Sequence, residues 1–267
     1  MLKQRILTGL VLAPVALAAV FLLPVKAFSV FIGLVIMLGA WEWANLAGFQ
    51  HPFSRVAYAL VIGGLCLFVY QFSVPETFVL VVGVLWWCAA FVLVKNYPSS
   101  TRIYDSSLVR LLMGVCTLIP AWLAMTVLKS HYGASAIMLV LFLVWAADVG
   151  AYFSGKRFGK NKLASRVSPK KTIEGVVGGI VLALVVALAF GTVLDLSLTR
   201  RLGLMILTVL VVLASVLGDL IESLLKRERG IKDSSNLLPG HGGVMDRIDS
   251  LTAALPVFAL ALVVSGS

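Results

Sequence analysis

Long apolar blocks separated by short polar segments are the dominant pattern along the chain. A transmembrane helix needs about 20 predominantly apolar residues, and in lipid the helix satisfies its own backbone hydrogen bonds. The pattern therefore predicts an all-α, polytopic integral membrane protein with about nine transmembrane helices. The assigned blocks, of which the third and ninth are short, cover residues 6–23, 27–47, 57–71, 77–94, 108–128, 134–153, 173–194, 202–225 and 250–265.

Composition agrees with this pattern and leaves no room for a separate soluble domain. The 267 residues are 60% hydrophobic and only 13% charged, whereas a soluble domain has about 25% charged residues. We therefore expect a single transmembrane domain over residues 1–267. The first block follows Lys3 and Arg5 and resembles a signal peptide, but we expect it to stay uncleaved as the first span. Three isolated cysteines indicate no disulfide framework.

Positive charge is distributed unevenly between the two sides that nine spans would create. Of the 22 Lys and Arg residues, 18 fall on the side of the N-terminus and the even-numbered loops. The positive-inside rule then makes that side cytoplasmic. We expect this charge to meet membrane lipid and nucleotide phosphates, with no nucleic acid partner. The four exceptions are Lys26, Lys129, Arg200 and Arg201.

Acidic residues divide the chain into two halves. Residues 1–130 are expected to be mainly helical scaffold, where Glu42, flanked by Trp41 and Trp43, is expected at the membrane interface. Residues 131–267 contain two long basic loops, 154–172 and 226–249. A charge in the bilayer core costs about 2.5–3.5 kcal/mol, so acids near these loops indicate a polar cavity or a partner, with polar helix packing as the alternative. Half of the 12 acids gather there: Asp148, Glu174, Asp219, Glu222, Asp246 and Asp249.

A polar stripe on the eighth block is the first part of a candidate site. Ser215, Asp219, Glu222, Ser223 and Lys226 recur every three or four residues. This spacing predicts that they share one face of a helix. An ion-paired helix end, in which basic residues neutralise the acids, is the alternative interpretation.

A glycine-rich loop before the last block is the second part. Its backbone N–H groups can form an anion site, and Asp246 and Asp249 lie on the first turn of the span that follows. Helix capping alone is an alternative for these two acids. Carboxylates beside an anion site are also expected if Mg²⁺, with or without a second ion, lies between them and a phosphate.

The basic loop 154–172 is the third part. Asp148 and Tyr152 lie one turn apart before it, and Ser168-Pro169 is typical of a helix start. General attraction to anionic headgroups is the alternative explanation for its charge. Gly175 and Gly179 form a small-xxx-small pair that predicts close helix packing. Seven cations belong to this loop: Lys156, Arg157, Lys160, Lys162, Arg166, Lys170 and Lys171.

The segment SLLKRERGIKDSSNLLPGHGGVMDRID, residues 223–249, resembles the motif of phosphatidate cytidylyltransferases (CDP-diacylglycerol synthases). Its Ser, Lys-Arg, Lys-Asp, Pro-Gly-His-Gly-Gly and Asp-Arg-x-Asp elements are all present, and SPKKTIEG and the Asp148 region also look like their counterparts. The resemblance covers residues 145–250. It implies transfer of CMP from CTP to phosphatidate, giving CDP-diacylglycerol and pyrophosphate, by a homodimer in the bacterial inner membrane.

The resemblance and the chemistry together define candidate residues. A lipid phosphate is already a nucleophile, because the second pKa of a phosphomonoester lies near 6. The enzyme therefore has to neutralise the charge of the reacting phosphates and align them. The expected metal ligands are Asp219 and Asp246, with Glu222 and Asp249 as further members. The expected catalytic residues are Asp219, Asp246, Lys226 and Arg247. Expected to bind substrate are Asp148, Arg166, Ser168, Lys170, Lys171, Ser223, Arg227, Lys232, Asp233, His241, Gly242 and Gly243.

Two other functions stay open at this stage. A CTP-dependent lipid kinase would move the γ-phosphoryl group, so its products would differ. An ion-coupled carrier would also bury carboxylates, but carriers often contain inverted repeats with broken helices in both halves. Here the polar residues gather in the second half, which argues against a carrier.

Overall fold

A computed structural model describes residues 2–266 of the chain, with side chains from Thr8 onward. The described part is almost entirely helical, and a small antiparallel hairpin interrupts it. The long helices are α1 (Leu2–Leu22), α2 (Val25–Leu46), α3 (Pro52–Gln71), α4 (Glu76–Lys95), α5 (Ser107–Val127), α6 (Gly133–Phe158), α7 (Ile173–Val193), α8 (Leu198–Glu228) and α9 (Met245–Ser265). The hairpin strands are β1 (Lys162–Ala164) and β2 (Ser168–Thr172), and a 3-10 helix covers Ser99–Ile103.

Seven segments of residues 2–266 are long and apolar enough to cross a membrane. One of them, Ser107–Phe158, has 52 residues, more than twice the length that one crossing needs. It contains both α5 and α6, joined by a π-helical turn at Leu128–Tyr132 and by Gly133, whose φ is +76°. A shorter apolar stretch, Thr8–Leu22, lies in α1. The prediction of an all-α membrane protein is confirmed, while the count of nine crossings stays a prediction.

Several helices extend further than the hydropathy pattern indicated. α3 begins at Pro52 rather than residue 57, because His51 caps it by accepting a hydrogen bond from the Phe53 N–H. α9 begins at Met245 rather than residue 250. α6 and α8 continue through basic residues, which are favoured in the last turn by the helix dipole. The two long loops are therefore shorter than predicted, and the second covers only residues 229–244.

The prediction that Ser168-Pro169 starts a helix is wrong. Ser168 and Pro169 open strand β2, which pairs with β1 through Lys162 opposite Thr172 and Ala164 opposite Ser168. Proline is tolerated there because the strand is at a sheet edge. Helix α7 begins at Ile173, where the hydroxyl of Thr172 accepts a hydrogen bond from the Gly175 N–H at 3.1 Å.

Glycines bring the backbones of α6 and α7 into direct contact. A Cβ atom on Gly150 would lie 2.5 Å from the carbonyl oxygen of Gly178, and one on Gly179 would lie 2.7 Å from that of Ala147. The predicted packing role of Gly175 and Gly179 is therefore confirmed. This contact fixes α6, which carries Asp148, against the helix that follows the hairpin.

Helix α9 lies in the middle of the bundle, where it packs on α8, α5 and α4. Gly218 of α8 allows the closest approach, since a Cβ there would lie 2.3 Å from the carbonyl oxygen of Asp249. The acids of α8 and α9 are thereby brought to one place. The same end of the bundle carries the 229–244 loop, and we call it the loop end.

The α6–α7 contact generates a stability prediction. Gly150→Ala should lower the free energy of unfolding by about 1–3 kcal/mol, because the added methyl group meets backbone that cannot rotate away. Thermal unfolding of the detergent-solubilised protein measures this as a lower midpoint. Gly64→Ala in α3 is the matched control, since nothing lies within 4 Å of its added Cβ. Equal midpoints for the two variants would contradict the proposed contact.

Candidate active site

The carboxylate of Asp246 accepts several hydrogen bonds at the loop end. It lies in the first turn of α9, and its side chain is only 6% exposed. It accepts hydrogen bonds from Lys226 Nζ at 2.8 Å, Gly243 N at 2.7 Å, Ser234 N at 2.9 Å and Ser234 Oγ at 3.0 Å. Gly243 N thus has a partner inside the protein, and the expected binding of substrate by Gly243 stays a prediction.

Lys226 joins the acids of α8 to those of α9. Its Nζ lies 3.2 Å from Glu222 Oε2, one turn earlier on the same helix, as well as 2.8 Å from Asp246. Glu222 is fully buried, and the side chain of Asp249 of α9 also interacts with its carboxyl group. The ion-paired helix end considered above is therefore present, and it includes acids from both helices.

Asp219 faces a separate cleft between α6, β2, α7 and α8. Its Oδ2 atom lies 2.6 Å from Lys171 Nζ, and its Oδ1 atom accepts a hydrogen bond from Ser223 Oγ at 3.0 Å. Asp148, Lys170 and Lys171 also line this cleft. Asp219 keeps a side-chain exposure of 33%, so a ligand can reach it more easily than Glu222 or Asp246.

The 229–244 loop folds back on itself beside Asp246. Leu238 and Gly242 form an isolated β-bridge, and Gly242 has a φ of +85°. A side chain on Gly242 would meet both Asp246 and Asp233. Arg247 Nε donates to the carbonyl oxygen of His241 at 3.1 Å. The Nδ1 atom of His241 is buried and has no partner within residues 2–266.

The remaining predicted residues lie around these two centres. Arg227 is tied to the hairpin, because its Nε donates to the carbonyl oxygen of Val167 at 3.3 Å. Asp249 lies one turn after Asp246, with its backbone against Gly218. Ser168 lies in β2 and is half-buried, while Arg166, Lys170 and Lys232 are exposed. The structure therefore gathers the predicted residues at the loop end, with Asp219 and Asp246 in adjacent helices.

Glu42 of α2 is the residue that the sequence interpretation missed. It is fully buried inside the protein, and its carboxylate accepts hydrogen bonds from Val244 N at 2.9 Å and from Met245 N at 2.6 Å. Its expected position at the membrane interface stays a prediction. The hydroxyl groups of Ser234 and Ser235 donate to the carboxylate as well. Glu42 thus caps α9 and holds the loop. The only signal in the sequence was a carboxylate inside an apolar block.

Ser234 connects Glu42 to the acidic group. Its single hydroxyl lies 3.1 Å from Glu42 Oε2 and 3.0 Å from Asp246 Oδ2, so its proton can serve only one of the two at a time. Asn45 holds the same residue from α2 by donating to the Ser234 carbonyl oxygen at 3.1 Å. The position of Asp246 therefore depends on α2.

The sequence is similar to those of known proteins over nearly the whole chain. The sequence profile of the cytidylyltransferase family matches residues 3–265. A phosphatidate cytidylyltransferase of Pseudomonas aeruginosa is 52% identical over 267 residues, covering 100% of this chain and 98% of the relative. Those of Haemophilus influenzae and Bacillus subtilis are 43% and 34% identical and cover 97% and 98% of this chain, each with 98% of the relative.

This chain belongs to the cytidylyltransferase family. It is therefore a nucleotidyltransferase and an integral membrane enzyme. The predicted identity of the family, which rested on the motif between Ser223 and Asp249, is confirmed over nearly the full length rather than residues 145–250 alone.

The acids of this cytidylyltransferase fit a Mg²⁺ ion that a substrate completes. Within residues 2–266, no three His, Cys, Asp or Glu side chains form a metal site on their own. Mg²⁺ usually takes one or two carboxylates together with phosphate oxygens and water, so such a cluster is not required. Two lysines, Lys171 and Lys226, pair with Asp219, Glu222 and Asp246.

The contacts of Glu42 predict that it controls the order of the loop. Glu42→Gln should raise the rate of tryptic cleavage at Arg229 and Lys232 about tenfold, because charge-assisted hydrogen bonds contribute about 1.5–3 kcal/mol. Limited proteolysis of the purified protein measures this rate. Glu76→Gln is the control, since Glu76 is 42% exposed and its ion pair is with His131, far from the loop in the sequence. Cleavage of Glu42→Gln at the rate of the control would show that the capping contacts are not needed.

Proposed function

We propose that this chain catalyses the transfer of CMP from CTP to phosphatidate, giving CDP-diacylglycerol and pyrophosphate. The observation that carries the proposal is the cleft in which Asp219 pairs with Lys171 beside Lys226 and Asp246. This part of the structure combines carboxylates with cations at the end of a bundle of membrane helices. A nucleoside triphosphate and a lipid phosphate both require such a combination. The relatives that match the whole chain carry the name of this activity.

The reaction needs alignment more than it needs a base. An oxygen of the lipid phosphate attacks the α-phosphorus of CTP, and the bond from that phosphorus to the α–β bridging oxygen breaks, so pyrophosphate leaves. The nucleophile already carries negative charge, because the second pKa of a phosphomonoester lies near 6. No proton has to be removed by His241, whose proposed role is to donate to a phosphate from the loop.

The carboxylates are proposed to orient cations against the triphosphate. Asp219 and Asp246 are the proposed Mg²⁺ ligands, with Glu222 and Asp249 available to a second ion. Bound Mg²⁺ would neutralise the charge that develops on the phosphate oxygens. Ser223 is proposed to fix the rotamer of Asp219 through the hydrogen bond at 3.0 Å.

The lysines are proposed to exchange carboxylate partners for phosphate partners. Lys226 is only 11% exposed and already pairs with two acids. Such a buried cation attracts a phosphate more strongly than a surface lysine does, since the surrounding protein reduces solvent screening. Lys226, Arg227, Lys232 and Arg247 are proposed to contact the CTP phosphates. Arg166, Lys170 and Lys171 are proposed to capture the phosphate of phosphatidate.

The topology belongs to the same proposal. Nine crossings would bring the N-terminus, the hairpin and the 229–244 loop to the cytoplasmic side of a bacterial inner membrane. In support, the hydroxyl of Thr8 donates to the carbonyl oxygen of Pro239 at 2.9 Å, so α1 begins beside the loop. The homodimer is proposed from the family resemblance.

Substitution of the acids tests the activity. Asp219→Asn should reduce kcat by roughly 100-fold or more, because electrostatic stabilisation of the transition state is lost. Asp246→Asn should act in the same direction. The assay is CTP- and Mg²⁺-dependent release of pyrophosphate by detergent-solubilised enzyme with phosphatidate, with CDP-diacylglycerol identified by mass spectrometry.

Matched measurements separate this result from misfolding and from other reactions. Asp246 is buried, so the unfolding midpoint of Asp246→Asn must stay near that of the wild type. Asp105→Asn, outside the described site, is the control and should keep full activity. Formation of CDP together with a newly phosphorylated lipid would show that the protein is a lipid kinase instead. Near-normal turnover of Asp219→Asn would show that Asp219 is not a metal ligand.

Lys171 tests the division between the two substrates. Lys171→Ala should raise the apparent KM for phosphatidate about tenfold, since charge-assisted bonds contribute about 1.5–3 kcal/mol. The KM for CTP should change little. Kinetics in mixed micelles, with each substrate varied separately, measure both. Lys160→Ala removes a charge from the same loop outside the cleft and is the control; a rise in the KM for CTP alone would reverse the assignment.

A further inference from the structure

A second cavity opens on the side of the bundle, away from the acidic group. It has a volume of about 800 Å³ and lies between α4 and α8, with the β1 segment over one end. Trp87 and Phe91 of α4 form one wall, and Leu213 and Leu217 of α8 form the other. Val257 of α9 lies at its floor. We call this cavity the lateral groove.

The length of the lateral groove corresponds to one leaflet of a bilayer. Its lining on α4 extends from Val84 to Lys95, and its lining on α8 from Leu210 to Leu220. At a rise of 1.5 Å per residue, each wall is about 15 Å long. The hydrocarbon core of a bilayer is about 30 Å thick, so half of it is the same length. Because α4 and α8 are membrane-spanning segments, an extended acyl chain fits along these walls.

Charge is confined to one end of the groove. Lys95, Lys162 and Arg166 lie at the end covered by β1, while the deeper lining is apolar. Tyr97 is at the same end, and burial together with its hydrogen bond to Glu228 raises the pKa of its hydroxyl. Tyr97 therefore adds no negative charge. This arrangement matches a lipid with an anionic headgroup and two apolar chains.

The charged end adjoins the cleft that holds Asp219. Val176 of α7 and Val216 of α8 line both the lateral groove and that cleft. Lys171, which pairs with Asp219, also contacts the carbonyl oxygen of Val216 at 3.4 Å. A lipid whose chains lie in the groove can therefore present its headgroup phosphate to Lys171 without leaving the membrane.

We propose that the lateral groove holds the acyl chains of the phosphatidate substrate and delivers its phosphate to the cleft between β2 and α8. The proposal rests on the proposed function, because the occupant is the lipid that the reaction consumes. Arg166 and Lys162 recognise the headgroup on arrival. The walls on α4 and α8 recognise chain length.

Filling the groove tests this assignment. Ala214 lines it from α8, and Ala214→Trp should raise the apparent KM for dipalmitoyl phosphatidate roughly tenfold, since losing the burial of about two methylene groups has that effect. The KM for dihexanoyl phosphatidate should change less than twofold, and that for CTP not at all. Ile206→Trp is the matched control, because Ile206 is on the same helix, 66% exposed and outside the groove.

The outcomes of the kinetic experiment are distinct. An equal rise for both chain lengths, or no rise, would overturn the assignment of the acyl chains. A rise in the KM for phosphatidate that is accompanied by loss of the oligomer in size-exclusion chromatography would mean that a second copy of the chain binds in the groove. Failure of the wild-type enzyme to form CDP-diacylglycerol from either phosphatidate would instead refute the proposed function.

A binding measurement without turnover gives an independent answer. Cys88 is exposed and lines the groove, so it can report occupancy in a variant with Cys66→Ala and Cys116→Ala. Dipalmitoyl phosphatidate should slow labelling of Cys88 by N-ethylmaleimide at least threefold relative to dipalmitoyl phosphatidylcholine. Equal protection by the two lipids would mean that the groove takes any membrane lipid, and would overturn its role as a substrate site.

Discussion

The cost of holding carboxylates in a membrane protein is the constraint on which the loop end depends. Asp246 and Glu222 are almost fully buried, and a charge in the bilayer core costs about 2.5–3.5 kcal/mol. Lys226 offsets this cost for both acids at once, while loop amides and the Ser234 hydroxyl satisfy Asp246. The glycine-rich loop is needed because its backbone must approach the carboxylate closely. A loop of larger residues would be blocked at Gly242 and Gly243.

The same constraint joins the two halves of the chain. Glu42 is buried in α2 and accepts hydrogen bonds from groups of the 229–244 loop and the first turn of α9. In return, its carboxylate caps α9, where negative charge is favoured by the helix dipole. Arg229 adds a second connection by donating to the carbonyl oxygen of Asn45. A rearrangement of the loop would therefore break these hydrogen bonds to a buried carboxylate, which favours one fixed loop conformation.

Much of this arrangement could be predicted from the sequence, because it follows from local periodicity. Spacing of three and four residues correctly placed Asp219, Glu222 and Lys226 on one face of α8, and Gly175 and Gly179 at a helix contact. The hairpin was missed because Ser168-Pro169 has the local chemistry of a helix start, and only pairing with β1 makes it a strand. Glu42 was missed because its partners are about 200 residues away in the chain, a separation that no local pattern can show.

The loop end lies between two different environments, and this explains why its cations differ in burial. Lys226 is enclosed by acids from two helices, whereas Lys171 and Asp219 face a cleft that shares its walls with the lateral groove. In the proposed reaction, a soluble triphosphate enters over the loop, and the lipid approaches along the helices. The pair of Lys171 and Asp219 lies where these two proposed routes would meet. In the proposed reaction both lysines exchange a carboxylate partner for a phosphate partner, and the partial exposure of Lys171 gives the lipid phosphate direct access to it.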